Sequence, residues 1–485
     1  MATFLSKLFP SSSSSSAANA DLGSMEVLCS AINDLLSDKS EFVGEKAADI
    51  VRKNKELFEK KPNDVEAFLV HCNPNVGSAA MAAAIKGMFD VSSQKNNETG
   101  TDRAVELLHH FLAENNFVGD HLKLIPEIIF PLLRKVGLYC LEKKDKPEIG
   151  QSIILKALNV MYPRNRGSEK VLTSAHSVLF ACALKTKDYE LVEPFIDVHI
   201  DDVANENGVT DSSDEQAPVS LLGKVLAKKG PISSLASSAP NAFLSPKVVL
   251  EYLYNGACIL IELRRFEDAL LLLEICVSLP AYSQQDEHVD GYKKFVLLSL
   301  LLHGRVSDLF EAKQTGSRNF KGKSSDYKPF TEVRFSRGGN THSKVEELVQ
   351  SAKDKLKKDG NLELAKMVVV EMKKKTILAL VKMFSSIRLA DITELAFLKN
   401  RATTTELIDE LVTENRITVR VENDMVFWAE VTPVPSKYDI ENKIRIVDNL
   451  NSLLSEKNSS LKSGSGRRPA LFNDDEGLSM PPIDH

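Results

Sequence analysis

Apolar residues recur every three or four positions along most of the chain, which is the spacing that places them on one face of an α-helix. The pattern begins near Met25 and is clear at residues 105–112 and 173–184. A polar turn at residues 187–188 precedes another apolar series at residues 189–195, and we predict a helical hairpin there. The chain is therefore predicted to be mostly helical.

The clearest repeat unit is a pair of predicted helices at residues 248–263 and 266–279, which two arginines join. Its length is close to the roughly 34 residues of a tetratricopeptide repeat (TPR), and Gly256 lies where two helices must approach closely. Such a pair cannot bury its apolar face alone, so neighbouring helices must stack on it, and residues 292–302 supply the next one. The pattern predicts a TPR-like solenoid.

Beyond residue 374 the apolar spacing changes. The predicted elements on both sides of this point are helices at 345–356, 362–370 and 377–384, an extended piece at 388–390, helices at 392–397 and 405–413, and two strands. The apolar positions that alternate in the strands are Ile417, Val419 and Val421, then Met425, Phe427 and Ala429. Asn423 and Asp424 form a two-residue turn between them. Three helices followed by a hairpin predict a winged helix.

A last helix is predicted at residues 436–458, after two prolines that stop the sheet. Its apolar stripe has a spacing of three to four residues and consists of Ile440, Ile444, Val447, Leu450 and Leu454. The small winged helix does not offer enough surface to cover this stripe, so we expect it to face a partner.

The predicted fold is mostly α: an α-helical, TPR-like repeat solenoid, then a winged-helix subdomain, then a C-terminal helix. Polar, serine-rich and acidic stretches set the boundaries. The predicted segments are a disordered N-terminal segment at 1–24, N-terminal helical repeats at 25–200, a loop or boundary at 201–246, further helical repeats at 247–371, the winged helix at 372–431, the C-terminal helix at 436–458 and a disordered tail at 459–485.

Composition narrows the class of protein. The 485 residues carry a formal charge of -6, which argues against a general binder of nucleic acid or anionic membranes. Six cysteines are spread singly, as in proteins of a reducing compartment. Neither a targeting segment nor a membrane-spanning apolar run is recognisable. We expect a protein of the cytoplasm and nucleus whose partners are proteins.

No catalytic, cofactor-binding or metal-binding residue is predicted. The Gly-Lys-Ser sequence that ends at Ser324 has the wrong spacing for a phosphate-binding loop. The adjacent His109 and His110 point about 100° apart on a helix and are expected to lie one inward and one in solvent. His176 and Cys182 are interpreted as packing residues. We therefore predict that the chain is not an enzyme.

A winged helix can read DNA with its third helix, but here that helix is acidic. Residues 403–415 contain four acidic residues and no basic one, so a duplex would repel this face. A protein-binding role is favoured, and a nucleic-acid-binding regulator stays as a third alternative. The basic loop at residues 313–337 is interpreted as a solvated loop or as a patch for an acidic protein.

Helical repeats that run directly into a winged helix resemble the PCI family, whose members occur in the proteasome lid, a translation-initiation complex and the COP9 signalosome. The residues that narrow this resemblance begin at Tyr254 with Tyr-Asn-Gly-Ala-Cys-Ile-Leu-Ile-Glu-Leu and continue with Arg265-Phe-Glu-Asp-Ala-Leu270, Glu274-Ile-Cys-Val-Ser-Leu-Pro280 and Gly291-Tyr-Lys-Lys-Phe-Val-Leu-Leu-Ser-Leu300. They resemble the signalosome subunit 3 branch of the family, closely over residues 250–305 and more loosely from 333 to 454.

The resemblance implies a scaffold subunit of the COP9 signalosome that supports cullin deneddylation, and through it the regulation of cullin-RING ubiquitin ligases. A PCI subunit of the proteasome lid or of a translation-initiation complex is the alternative. Partners are expected to be other signalosome subunits, bound through winged-helix edges and a C-terminal helix bundle, with no cofactor, nucleic acid or membrane. The candidate interface residues are Val419, Val421, Phe427, Trp428, Ile440, Ile444, Val447, Leu450 and Leu454. For Trp428, packing on the helices is the default interpretation.

Overall fold

The computed structural model describes residues 24–37, 43–60, 64–114, 117–162, 171–196, 202–203, 244, 246–278, 286–306, 324–337, 339–430, 444 and 447. The chain divides into two compact units, Met1–Met372 and Lys373–His485. Each unit is described by itself.

The helices before residue 200 follow one another with short connections. They are α1 (Met25–Asp34), α2 (Val43–Lys53), α3 (Lys55–Lys60), α4 (Val65–His71), α5 (Pro74–Gln94), α6 (Glu98–Ala113), α7 (Gly119–Lys123), α8 (Pro126–Leu138), α9 (Pro147–Met161) and α10 (Ser174–Thr186). A π-helical turn, Tyr139–Lys143, extends α8, and short strands β1 (Val171–Leu172) and β2 (Asp202–Val203) pair in parallel.

The helices of the second half of unit 1 continue the same pattern. They are α11 (Pro246–Glu262), α12 (Phe266–Ser278), α13 (Asp286–His303), α14 (Lys328–Thr331), α15 (Thr341–Ser351), α16 (Lys353–Lys358) and α17 (Leu362–Val381). The unit boundary falls inside α17, after Met372. Within the described ranges, no helix is long and apolar enough to cross a membrane.

One hydrophobic core runs through unit 1, from Met25 to Met372. It does not stop at the long segment between α10 and α11, because these two helices pack on each other. Nδ2 of Asn255 donates to the carbonyl oxygen of Ser177 at 3.3 Å, and Arg134 on α8 forms an ion pair with Glu251 on α11 at 2.8 Å. The helices on both sides of residues 197–243 therefore form a continuous stack.

The predicted TPR-like pair is present as α11 and α12. The turn between them uses Arg264 in the left-handed region (φ 61), and the Arg265 N–H donates to the carbonyl oxygen of Leu260 at 2.8 Å. The side chain of Arg265 then pairs with Asp268 at 2.7 Å and Glu193 at 2.9 Å. The two arginines thus close the turn and bind it to the preceding part of the stack.

Two sequence predictions within the helices are wrong. The apolar series at 189–195 does not form a helix; its only regular piece is the 3-10 turn Glu193–Phe195. Val192 is nevertheless fully buried, so the apolar spacing reflects burial of a turn. The helices predicted at 362–370 and 377–384 are one helix, α17, since the lysine-rich residues between them continue it without a break.

Unit 2 contains the end of α17, β3 (Ser386–Arg388), α18 (Leu389–Leu395), α19 (Arg401–Thr413), β4 (Ile417–Glu422) and β5 (Met425–Glu430). The sheet is antiparallel with the order β3-β5-β4. Asn423 (φ 49) and Asp424 (φ 68) both have positive φ, which is the two-residue turn predicted from their identity. This is the order of elements of a winged helix. Because the helices of unit 1 make up most of the described residues, the fold is mostly α as predicted.

A separate core fills unit 2, and its buried members are Ile377, Leu380, Ile387, Ile392, Ala396, Leu407, Ile408, Leu411, Ile417, Val426 and Trp428. The predicted C-terminal helix at 436–458 lies outside the described residues, apart from Ile444 and Val447, which are exposed.

Candidate docking surface

The histidines and cysteines considered for chemistry are engaged in the fold. His109 and His110 are both half-buried, not one inward and one solvated, and Nε2 of His109 lies 3.4 Å from Nζ of Lys156. His176 caps α10, and burial raises the pKa of the Cys182 thiol to about 12. Across the described residues, no group of three or more His, Cys, Asp or Glu side chains is placed to hold a metal ion.

The two faces of the hairpin differ in their surroundings. In the antiparallel pairing of β4 with β5, Val419 lies opposite Trp428 and Arg420 lies opposite Phe427. Trp428 is buried, and its Nε1–H donates to the carbonyl oxygen of Phe384 at 2.8 Å. Phe427 points to the other face, where the guanidinium of Arg420 lies 5.6 Å from its ring centroid. Val426 and Trp428 thus form the inner face of β5. The prediction that Met425, Phe427 and Ala429 form its apolar face is wrong.

Both outer strands of the sheet have an edge that no described strand covers. On β4, Val421 is 59% exposed, beside the ion pair between Arg420 and Glu422 at 3.0 Å. On the opposite side, β3 has only three residues. An uncovered strand edge offers N–H and C=O groups to a partner's strand.

An apolar groove lies beside β3. It measures about 490 Å³, and its lining residues are Phe384, Ser386, Ile387, Arg388, Asp391, Glu394, Leu395 and Met425. Phe384 is 40% and Leu395 43% exposed, and the neighbouring Met383 is 54% exposed. Arg388 pairs with Asp391 at 2.9 Å, which leaves the rim acidic at Glu394. Large apolar side chains that are grouped and exposed mark surfaces for protein contact.

The acidic face of α19 is held by a lysine that the sequence did not point to. Nζ of Lys374, on α17, lies 2.8 Å from Oε2 of Glu410 and 2.5 Å from Oε1 of Glu414. Burial opposes the charged form of Lys374, but these hydrogen bonds outweigh it and raise the pKa of the lysine. Glu406 and Asp409 remain exposed on the same face. The solvent side of α19 is therefore negative, which disfavours contact with a nucleic-acid backbone.

The structure brings together only part of the predicted interface. Val419 is half-buried and Trp428 buried, whereas Val421 and Phe427 are exposed on opposite faces of the hairpin. Ile444 and Val447 are 54% and 53% exposed. Ile440, Leu450 and Leu454 lie outside the described residues.

The sequence did not single out the groove residues Phe384 and Leu395, because it placed them within the predicted helices at 377–384 and 392–397. The signal that could have revealed them is their position. Phe384 lies beyond the end of α17 and Leu395 is the last residue of α18, and the ends of helices are covered by fewer neighbours.

Comparison with known proteins agrees with this architecture. A family model described as COP9 signalosome complex subunit 3, N-terminal helical repeats, matches residues 40–215 and 231–315, which together are more than half of the chain. A Caenorhabditis elegans protein named COP9 signalosome complex subunit 3 is 65% identical over 496 aligned positions that cover all of this chain and 99% of that protein. A Drosophila melanogaster protein of the same name is 22% identical over 317 positions, 65% of each chain.

The described fold is that of a helical-repeat protein with a small winged-helix unit. Within that class, the chain belongs to the family of COP9 signalosome complex subunit 3.

Proposed function

We propose that this chain is a non-catalytic scaffold subunit of a COP9 signalosome, with a PCI-type winged helix that docks neighbouring subunits. In this role it supports the removal of the ubiquitin-like modifier from cullins by a different, zinc-dependent subunit, and thereby the regulation of cullin-RING ubiquitin ligases. The same proposal puts the chain in the cytoplasm and the nucleus.

The observation that carries the proposal is the apolar groove beside β3, in a chain whose relative over its full length is named as a signalosome subunit. Exposed Phe384 and Leu395 lie next to the edge of β3, which no described strand covers. A partner that covers both gains apolar burial and backbone hydrogen bonds together. Glu394 on the rim favours a partner with a basic residue at this point.

The test is purification of the tagged full-length chain from cells, followed by mass spectrometry of the native complex. The wild-type chain is expected to recover the other signalosome subunits, including the deneddylating one. The variant Leu395→Asp is expected to lower their recovery roughly tenfold or more, because a carboxylate would be buried without a partner at the interface.

The matched control is Leu191→Asp, since Leu191 is 50% exposed and belongs to unit 1, whereas the groove residues belong to unit 2. It is expected to recover the subunits as the wild type does.

The double variant Ile444→Asp with Leu454→Asp tests the predicted C-terminal stripe in the same assay. If Leu395→Asp recovers the subunits stoichiometrically, the groove is not part of the interface. If the wild-type chain recovers proteasome subunits in place of signalosome subunits, the proposed function is wrong.

A further inference from the structure

Two cysteines that are distant in the sequence meet inside unit 1. Cys29 lies on α1, and Cys72 directly follows α4. Both are buried, at 6% and 4% exposure, and their thiols are hydrogen-bonded to each other. Both are reduced. The fold thus holds a dithiol between its first described helix and the end of the fourth.

The surroundings of the two sulfur atoms are specific. Nδ2 of Asn33 donates to Sγ of Cys29 at 3.6 Å, and Oδ1 of the same amide accepts from the backbone N–H of Asn73 at 2.9 Å. The amide is therefore fixed with its donor towards the sulfur. A Cβ atom at Gly77 would lie 2.2 Å from Sγ of Cys72, so the absence of a side chain at this position gives the second sulfur its space.

These contacts make the two thiols unequal. The hydrogen bond from Cys72 lowers the pKa of Cys29 against the opposing effect of burial, and Asn33 lowers it further. The same pairing, together with burial, raises the pKa of Cys72. A thiolate is the nucleophile in cysteine oxidation, and Sγ of Cys29 is the sulfur that accepts the Asn33 hydrogen bond, which stabilises a thiolate there. Cys29 is therefore the first sulfur to react, and Cys72 is its neighbour.

We propose that Cys29 and Cys72 are a redox modification site, at which hydrogen peroxide or an organic hydroperoxide closes a reversible disulfide between α1 and the end of α4. The Cys29 thiolate attacks one peroxide oxygen, the O–O bond breaks, and the leaving oxygen departs as water or an alcohol with a proton. Cys29 is then a sulfenic acid. The sulfur of Cys72 attacks it, loses its proton and displaces water, so that two thiols are oxidised while one peroxide is reduced.

A second thiol pair provides the matched control. Cys140 and Cys182 are both buried and both border Gly150, whose Cβ position is 3.2 Å from Cβ of Cys140 and 3.4 Å from Sγ of Cys182. Burial raises the pKa of Cys140 to about 11 and that of Cys182 to about 12. Both thiols therefore stay protonated near neutral pH. The pair tests whether two neighbouring thiols oxidise readily when neither has a lowered pKa.

The experiment treats the folded full-length chain with hydrogen peroxide, blocks the remaining thiols by alkylation after denaturation, and maps the peptides without reduction. A peptide linked through Cys29 and Cys72 is expected to form at least about tenfold faster than any oxidation of Cys140 or Cys182. Dithiothreitol is expected to reverse it. Hydrogen exchange in α1 should slow in the oxidised form, because the disulfide closes a loop between α1 and the end of α4.

Single variants assign the roles of the two sulfurs. Cys72→Ser is expected to stop at a sulfenic acid on Cys29 that a dimedone-type reagent traps, whereas Cys29→Ser is expected to leave Cys72 as a thiol. If alkylation finds Cys29 and Cys72 still reduced in the treated wild type, or if the control pair oxidises at an equal rate, the proposed site does not exist. This outcome is independent of subunit recovery, so it leaves the scaffold proposal untouched.

Discussion

His176 shows how much a single buried side chain can do in a helical stack. Its Nδ1 accepts the backbone N–H of Thr173 at 3.1 Å and completes a capping box at the start of α10. The ring lies against Phe195 and Tyr252, with centroid distances of 6.0 and 6.3 Å. Burial lowers the pKa of His176 to about 4. Nδ1 must be unprotonated to accept the Thr173 N–H.

The depressed pKa of His176 predicts a loss of stability in mild acid. His176 takes up a proton near its ordinary pKa of 6.5 in the unfolded chain, but only near pH 4 in the folded chain. The stability that the unprotonated ring contributes is therefore fully present above pH 6.5 and is lost as the pH falls towards 4. Between pH 6.5 and pH 4, the free energy of unfolding falls by about 3 kcal/mol through this group.

Replacement of His176 by Gln keeps an acceptor for the Thr173 N–H but removes the titrating group. We expect the thermal unfolding midpoint of His176→Gln to fall less than that of the wild type between pH 7 and pH 5. His303→Gln, at an exposed position, controls for the loss of one imidazole. An unchanged pH dependence in His176→Gln would show that His176 is not the responsible group.

Close approach of whole helices depends on glycine in two different ways. On α5, a Cβ at Gly87 would lie 2.7 Å from the backbone carbonyl oxygen of Phe58 on α3. On α11, a Cβ at Gly256 would meet only side chains, with Leu272 Cδ1 nearest at 3.3 Å. The close approach predicted at Gly256 is present, but its neighbours can shift, whereas backbone at the crossing of α3 and α5 cannot shift without moving a helix.

The pair Gly87→Ala and Gly256→Ala separates these two cases. Both changes gain about 1 kcal/mol in intrinsic helix propensity. In Gly87→Ala the clash with backbone exceeds this gain, and we expect a net destabilisation of about 1–3 kcal/mol. Gly256→Ala is expected to change the unfolding free energy by less than about 1 kcal/mol. Chemical denaturation measures both, and equal effects would contradict the distinction between backbone and side-chain neighbours.

The described residues form two hydrophobic cores, one in each compact unit. The first runs through stacked helices, in which each helix packs mainly on its neighbours. The second is small and surrounds Leu411 and Ile408 on the inner side of α19. Stability in such a chain is distributed among local units, because each core consists of its own set of buried residues.

Two leucine truncations test this distribution. Leu411→Ala removes a fully buried side chain from unit 2, and Leu179→Ala removes one from unit 1. Each is expected to cost about 2–5 kcal/mol locally. Hydrogen exchange should speed up over residues 377–428 with Leu411→Ala and over α8 to α10 with Leu179→Ala. Uniform acceleration along the whole chain with either variant would show a single cooperative unit instead.

The sequence by itself determined the features that depend on local patterns. Apolar spacing predicted most helices, Asn423 and Asp424 predicted the hairpin turn, and the order of elements predicted the winged helix, because helix periodicity and turn chemistry act over a few residues. The residues from 250 to 305 carried the resemblance to the family that the comparisons showed.

Tertiary structure alone decided which side chains lie together and which are left exposed. It joined two predicted helices into α17, left Phe427 exposed, exposed Leu395 beside β3 and placed Lys374 against α19. It also brought Cys29 to Cys72. These facts depend on contacts between residues far apart in the chain, and the burial of each side chain is set by its neighbours in space and not by its own polarity.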